Sequence, residues 1–239
     1  MPTENVISNV VRGVPMSFVG YTRSLELCSR MNYETENLDF IDRIPAGEVM
    51  YDLGACEGRF SIYAALKNVR CFSFEPEKRN HQAFFENIAI NAIPEGRLQV
   101  FKLAIGEKRA QAKLRIGQPW AGGHQKVIEQ QEVRHDLAFN FVEEETVDVV
   151  SLDEAIGELR LPPPAYLKVD IDGSEMPFLR GAMRTLSSPS LKGLIFELET
   201  TDRNFDAIID LLRTCGLREE RRYQIPNEAF LYNIIFTRS

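Results

Sequence analysis

Short apolar runs, most of them ending at an acid or a polar turn, alternate along this chain with segments whose apolar residues recur at helical intervals. Val49–Asp52, Val69–Phe74, Leu98–Ile105, Val147–Leu152, Tyr166–Ile171 and Gly193–Leu198 read as strands. Helices are predicted over Arg59–Leu66, Lys78–Asn91 and Asp153–Ile156, from Ser174 with Pro177 in the first turn, and over Phe205–Thr214. Strand alternating with helix predicts a parallel sheet wound on both faces. Ala112–Ile116 reads as a short extra strand, and Leu217–Arg222 with Phe230–Thr237 as a closing antiparallel pair.

Two stretches depart from the rhythm. Residues 1–47 hold Leu25, Leu27, Leu38, Phe40 and Ile41 in spacings that suggest short helices packed as a cap on the sheet, a segment too small to fold alone. Tyr33, Glu34 and Glu36 could lie over a cofactor, and a solvated helix face is the reading preferred for them. Residues 117–145 are polar, carry Gly122-Gly123, Trp120, His124 and His135, and are expected to be a lid; their acid run Glu143-Glu144-Glu145 reads as solvated. Residues 48–239 are expected to form one domain with the cap.

Composition narrows the function. A chain of 239 residues, 44% of them apolar, suffices for one α/β core. A net charge of −7 gives no basic footprint for nucleic acid. Four cysteines without paired spacing suggest a reducing compartment, and neither a secretory signal nor a membrane span is expected, so the reading is cytoplasmic. Oligomeric state is not legible.

The first strand ends at Asp52 and turns through Gly54 and Gly58 into a helix, which is the opening of a nucleotide-type βαβ unit. A dinucleotide site wants G-x-G-x-x-G, and Cys56 stands at the middle glycine. D-x-G-x-x-x-G suits S-adenosyl-L-methionine instead, a ligand without phosphate whose ammonium and sulfonium favour a carboxylate. Gly54 is expected to serve close approach of the ligand. Glu75 ends the next strand, roughly the ~20-residue interval at which such folds place an acid on ribose hydroxyls; taken alone it also reads as a helix cap.

The blocks DLGACEGRFS, FSFEPEKRNHQAFFENIAIN, LAIGE, VDVVSLDEAI and LKVDIDGSEMPFLRGAMRTL, in that order from Val49 to about Glu199, resemble the FkbM family of S-adenosylmethionine-dependent methyltransferases. The resemblance implies a Rossmann-like class I fold, a mostly parallel seven-stranded sheet ending in the antiparallel pair. It implies a cofactor set of Asp52, Gly54, Ala55, Cys56, Gly58, Glu75, Pro76, Ala104 and Asp170, with S-adenosyl-L-homocysteine as product, and a hydroxyl on a small molecule, glycan or secondary metabolite as acceptor. Most members have Asn at the place of Cys56 and Glu-Gly at that of Asp172-Gly173.

For the transfer itself, Lys168 and Asp170 are charges in a central strand that should be nearly all apolar, so they need partners or a function. Asp170 and Asp172 are the acids expected beside the acceptor, while Ser174 and Glu175 read as the cap of the next helix. His124 is the histidine candidate for a general base; His81 and His135 receive no role. An oxygen-ligated Mg²⁺ at Asp170-x-Asp172, or one shared with Glu197, finds no support in the spacing, and no metal is assigned. The competing functions are a noncatalytic cofactor-binding scaffold and a nicotinamide oxidoreductase.

Overall fold

In a computed structural model describing residues 5–129 and 140–238, three sheets organise the chain. A hairpin of β1 (Val6–Val11) and β2 (Val14–Val19) leads into α1 (Arg23–Cys28) and α2 (Thr35–Asp42). Then follow β3 (Val49–Leu53), α3 (Arg59–Leu66), β4 (Arg70–Phe74), α4 (Lys78–Ile90) and β5 (Leu98–Phe101). A second region contributes β6 (Ala104–Gly106), β7 (Ala110–Ile116), β8 (Lys126–Ile128) and β9 (Glu143–Ser151). The chain then forms α5 (Leu152–Glu158), β10 (Tyr166–Val169), α6 (Glu175–Gly181), α7 (Met183–Ser187) and β11 (Gly193–Glu199), and closes with α8 (Phe205–Thr214), β12 (Leu217–Gln224) and β13 (Leu231–Arg238).

The main sheet has the order β12-β13-β11-β10-β3-β4-β5, parallel from β11 to β5, with β13 antiparallel to both its neighbours. The seven strands and the terminal antiparallel pair match the expected class. Side-chain alternation sends Tyr51, Leu53, Leu167, Val169, Leu194 and Phe196 to one face, where they pack with Phe178, Leu179, Ile208 and Leu212 of α6 and α8. Met50, Cys71 and Ile195 go to the other, against Phe40 and Ile41 of α2, Ile62 and Tyr63 of α3, and Phe84 of α4.

Three expectations need correction. The run Leu98–Ile105 is two strands: Lys102-Leu103 breaks it, β5 stays in the main sheet, and β6 pairs with β9 in a separate sheet of order β6-β9-β7-β8. Hydrophobic pattern cannot register such a change of partner, because both halves are equally apolar. The N-terminal segment holds a hairpin as well as helices, with Asn87 and Asn91 of α4 accepting the Val19 and Ser17 N–H groups at 2.8 Å. Finally, the acid run, expected within the lid, is the start of β9; Glu143 and Glu144 are exposed as expected, with Glu143 paired to Arg79 at 2.7 Å and Glu145 to Lys102 at 2.9 Å. Part of the expected lid, 130–139, and with it His135, lies outside the described residues.

Candidate active site

The winding of the main sheet reverses between β3 and β10, and an open parallel sheet binds ligands at the carboxyl ends of its strands at such a point. The two loops there are pressed together. The Asp170 N–H donates to the Leu53 carbonyl at 3.0 Å, and a Cβ on Gly54 would stand 1.8 Å from the Asp170 carbonyl oxygen. A Cβ on Gly58 would stand 2.0 Å from the Phe84 ring. Both glycines have positive φ. Neighbouring protein alone already demands glycine at both positions, and Gly54, expected to serve the ligand's approach, also lines the cavity described below.

Four backbone donors of this turn are spent inside the protein. Gly54 and Ala55 N–H donate to the Phe74 carbonyl at 3.0 and 3.1 Å, Gly58 N–H to that of Ala55 at 2.9 Å, and Cys56 N–H to Glu75 Oε2 at 2.8 Å. A pyrophosphate requires such donors free, and these four are not open to one.

Glu75 is buried at the end of β4, each carboxylate oxygen fixed by one backbone donor, the second being Glu77 N–H on Oε1 at 2.9 Å. Each oxygen keeps lone pairs for the cavity it lines. Burial, only partly offset by Lys126, raises its pKa to about 7. The capping role belongs to Glu77, which accepts the Asn80 N–H at 2.9 Å and meets Lys126 Nζ at 3.1 Å.

Asp52 corrects another expectation. It is buried, absent from the cavity wall, and bonded through Oδ2 to Ser61 Oγ–H at 2.5 Å. Its Oδ1 lies 3.4 Å from Lys168 Nζ, which is 3.2 Å from Asp170 Oδ2. Burial alone would lower the Lys168 pKa; Asp52 and then Asp170 outweigh it and hold the ammonium above its usual value. The charge in the central strand is thus a buried pillar under Asp170.

The cavity has a volume of about 540 Å³. Of the expected cofactor residues Gly54, Cys56, Glu75, Pro76, Ala104 and Asp170 line it, and Asp52, Ala55 and Gly58 do not. The expected acceptor-side residues Asp170, Asp172 and His124 line it too. His124 sits in a roof tied to its surroundings: Gly122 N–H donates to Asn80 Oδ1 at 2.8 Å, Thr22 Oγ–H to the Ala121 carbonyl at 2.7 Å, and Trp120 Nε1–H to Ser24 Oγ at 2.9 Å. Enclosure by protein, and then Arg59, lower the His124 pKa.

Several lining residues escaped the sequence reading. Tyr33 and Glu34 face the cavity, and Glu34 is buried against Arg59 at 3.5 Å, while Glu36 accepts the Asn233 amide at 2.8 Å. The solvated-face reading is therefore corrected for Glu34 and Glu36, which are buried, while Tyr33 stays exposed at the cavity rim. Arg59 was legible only as the first residue after the glycine turn. Oxygens of Asp170, Asp172 and Glu197 lie within 4.8 Å of one another, a set whose hard-oxygen chemistry would suit a divalent cation, and Glu197 enters it from β11.

The family model described as the methyltransferase FkbM domain matches residues 52–222. The chain belongs to the FkbM methyltransferase family. Among solved structures it is similar to the FkbM methyltransferase from Methylobacillus flagellatus KT, with a TM-score of 0.55 and 19% identity over 82% of this chain and 44% of that one. The chain thus spans less than half of that protein's length. It is similar also to precorrin-6y C5,15-methyltransferase from Geobacter metallireducens GS-15, with a TM-score of 0.53 and 14% identity over 93% and 94% of the two chains. A third is magnesium protoporphyrin IX methyltransferase from Synechocystis PCC 6803 with bound S-adenosylmethionine, with a TM-score of 0.54 and 9% identity over 92% and 86%. No curated protein sequence matches the chain.

S-adenosyl-L-methionine, the cofactor of the FkbM family, suits this donor set. A doubly oriented carboxylate at Glu75 offers acceptors to a pair of ribose hydroxyls, acids at Asp170 and Asp172 suit cationic groups, and the four spent donors of the turn are not open to phosphate. The family segment ends short of part of the cavity wall: Tyr33 and Glu34 precede it, and Ile225, Glu228 and Leu231 follow it.

Proposed function

We propose that this protein transfers the methyl group of S-adenosylmethionine to a hydroxyl of a small molecule, glycan or secondary metabolite. The observation that carries the reading is one cavity holding both an oriented ribose-type carboxylate, Glu75, and the acceptor-side pair Asp170 and Asp172. When bound, the cofactor supplies an electrophilic methyl on its sulfonium. Glu75 fixes the nucleoside end, so that the methyl is held at one depth in the cavity. Asp170, steadied by Lys168, and Asp172 accept hydrogen bonds from the acceptor and hold its oxygen in line. The roof around Gly122 and His124 excludes water from that line.

A noncatalytic scaffold would have no use for the acceptor-side acids, and a nicotinamide enzyme would need the turn's donors free. Free thiols at Cys28, Cys56, Cys71 and Cys215 support a reducing, cytoplasmic location, and no described helix is long and apolar enough to cross a membrane. Titration calorimetry with S-adenosylhomocysteine and with NAD, followed by methyl transfer from labelled S-adenosylmethionine to a panel of hydroxyl, amine and thiol acceptors, tests the reading. Binding of S-adenosylhomocysteine alone and transfer to hydroxyls are the expected results; binding of NAD, or transfer only to amines or thiols, would reject it.

A further inference from the structure

Methyl transfer to a hydroxyl also requires a group that takes the proton. Among the carboxylates of the cavity wall, Glu75 is committed to two backbone donors and Asp170 to Lys168, Asp172 and Glu197 converge on Asp170, and Glu228 is exposed. Glu34 is placed differently. Its side chain is only 8% exposed, yet it lines the cavity, and Arg59 Nη2 at 3.5 Å is its one ion-pair partner among the described residues. It occupies the N-cap of α2 without using its side chain as a cap. Its backbone is left-handed, with φ 55° and ψ 45°, a conformation strained for a non-glycine residue. A capping side chain would have satisfied the helix; instead the strained backbone turns the carboxylate into the cavity.

We propose that Glu34, reaching the site from outside the segment shared with the family, is the carboxylate that accepts the proton of the acceptor hydroxyl. The inference rests on the methyltransferase reading above. As the acceptor oxygen forms its bond to the methyl carbon, the carbon–sulfur bond breaks with its electron pair going to sulfur, and the hydroxyl proton passes to a Glu34 oxygen. Solvent removes it after product leaves.

The charges facing Glu34 are Arg59 of α3, Lys168 of β10, Asp170 in the loop after it, and Glu36 of α2, with Tyr33 adjoining. Burial raises its pKa, Arg59 opposes, and Asp170 adds to the rise, so that the carboxyl titrates at about 7, where a base for neutral pH is most effective. His124 is the rival, but its basicity is lowered and the residue is exposed to solvent where Glu34 is buried.

The test compares Glu34→Gln, Glu34→Asp and His124→Gln, using S-adenosylhomocysteine binding as the control for an intact site and labelled methyl transfer to the hydroxyl panel across pH 5.5–9. Wild-type kcat at saturating S-adenosylmethionine, where Glu75 is already engaged by the cofactor, is expected to rise with pH to a plateau above about 7. Glu34→Gln is expected to bind S-adenosylhomocysteine within a few-fold of wild type, lose about 10²-fold in turnover and lose the inflection, with Glu34→Asp restoring part of both. If Glu34→Gln keeps turnover and inflection, or His124→Gln loses them in its place, the assignment of Glu34 is overturned while the methyltransferase reading stands. If the wild type binds S-adenosylhomocysteine but methylates no hydroxyl, that reading fails and the role of Glu34 fails with it.

Discussion

Lys168 and Asp52 are register neighbours on adjacent parallel strands, with Nζ and Oδ1 3.4 Å apart, both side chains buried and Nζ 5.5 Å from the centre of the Phe60 ring. Two charges in the middle of a sheet are tolerated because each desolvated group has the other, and Ser61 and Asp170 take the remaining valences. Lys168→Met leaves Asp52 buried and unpaired, and the expected cost is about 3–5 kcal/mol, read as a lowered urea midpoint at unchanged slope. Adding Asp52→Asn to Lys168→Met is expected to return more than half of it.

Glu75 links stability and ligand binding to pH with opposite signs. Its carboxyl titrates near 7 in the folded chain against an ordinary value of 4.5, so the protonated form is favoured by folding. That contribution is fully present below about pH 4.5 and is lost as pH rises through 7. Glu34, raised in the same way, adds to the effect. Melting temperature without ligand is therefore expected to fall across this window, and Glu75→Gln to remove part of the fall. Affinity for S-adenosylhomocysteine should instead increase towards pH 8, as the carboxylate that accepts the ribose hydroxyls forms. Glu75→Ala is expected to weaken binding by about 2 kcal/mol or more in calorimetry.

Gly54 tests whether its turn is built for the protein or for the ligand. With its Cβ position 1.8 Å from the Asp170 carbonyl oxygen and φ +77°, even Gly54→Ala forces β3 and β10 apart. Circular dichroism melting is expected to show a destabilised fold alongside lost binding. A variant that melts like wild type but fails to bind S-adenosylhomocysteine would return the glycine to a purely ligand-facing role.

The carboxylates of Asp170, Asp172 and Glu197 converge, yet positive charge already reaches this corner from Lys168 and arrives with a sulfonium ligand. Turnover is accordingly expected to survive exhaustive chelation with EDTA. Loss of activity restored by added Mg²⁺ would instead assign the three oxygens as metal ligands.

What the sequence disclosed and what it hid divide along the range of the interactions. Glu75, Pro76, Ala104, Asp170 and Asp172 were legible because each sits at the end of an apolar run or in a family block, and strand ends define where an α/β sheet binds. Asp52 was misplaced because its position at a strand end is local information, while the ammonium that claims it comes from β10. Glu34 was read as solvated because its polarity says nothing of Arg59 on α3, against which it is buried. The split of Leu98–Ile105 between two sheets is equally nonlocal, for both halves carry the same period and only the partner strand differs.

Asp170 joins these threads, since it is tied from below by Lys168 yet keeps 30% of its side chain exposed on the cavity wall. A carboxylate held this way is oriented for whatever stands above it, either the acceptor hydroxyl or the cofactor ammonium, and kinetics separate the two. If it positions the acceptor, Asp170→Asn is expected to lower turnover by about 10² with S-adenosylhomocysteine affinity within a few-fold of wild type, because the interaction lost is one made in the transition state. If affinity collapses while turnover at saturating S-adenosylmethionine persists, the ammonium is its partner and the acceptor is held by Asp172. If neither quantity moves, Asp170 serves only to complete the charge balance of Lys168, and Asp170→Asn should then appear as lost stability in the same urea titration that tests Lys168→Met.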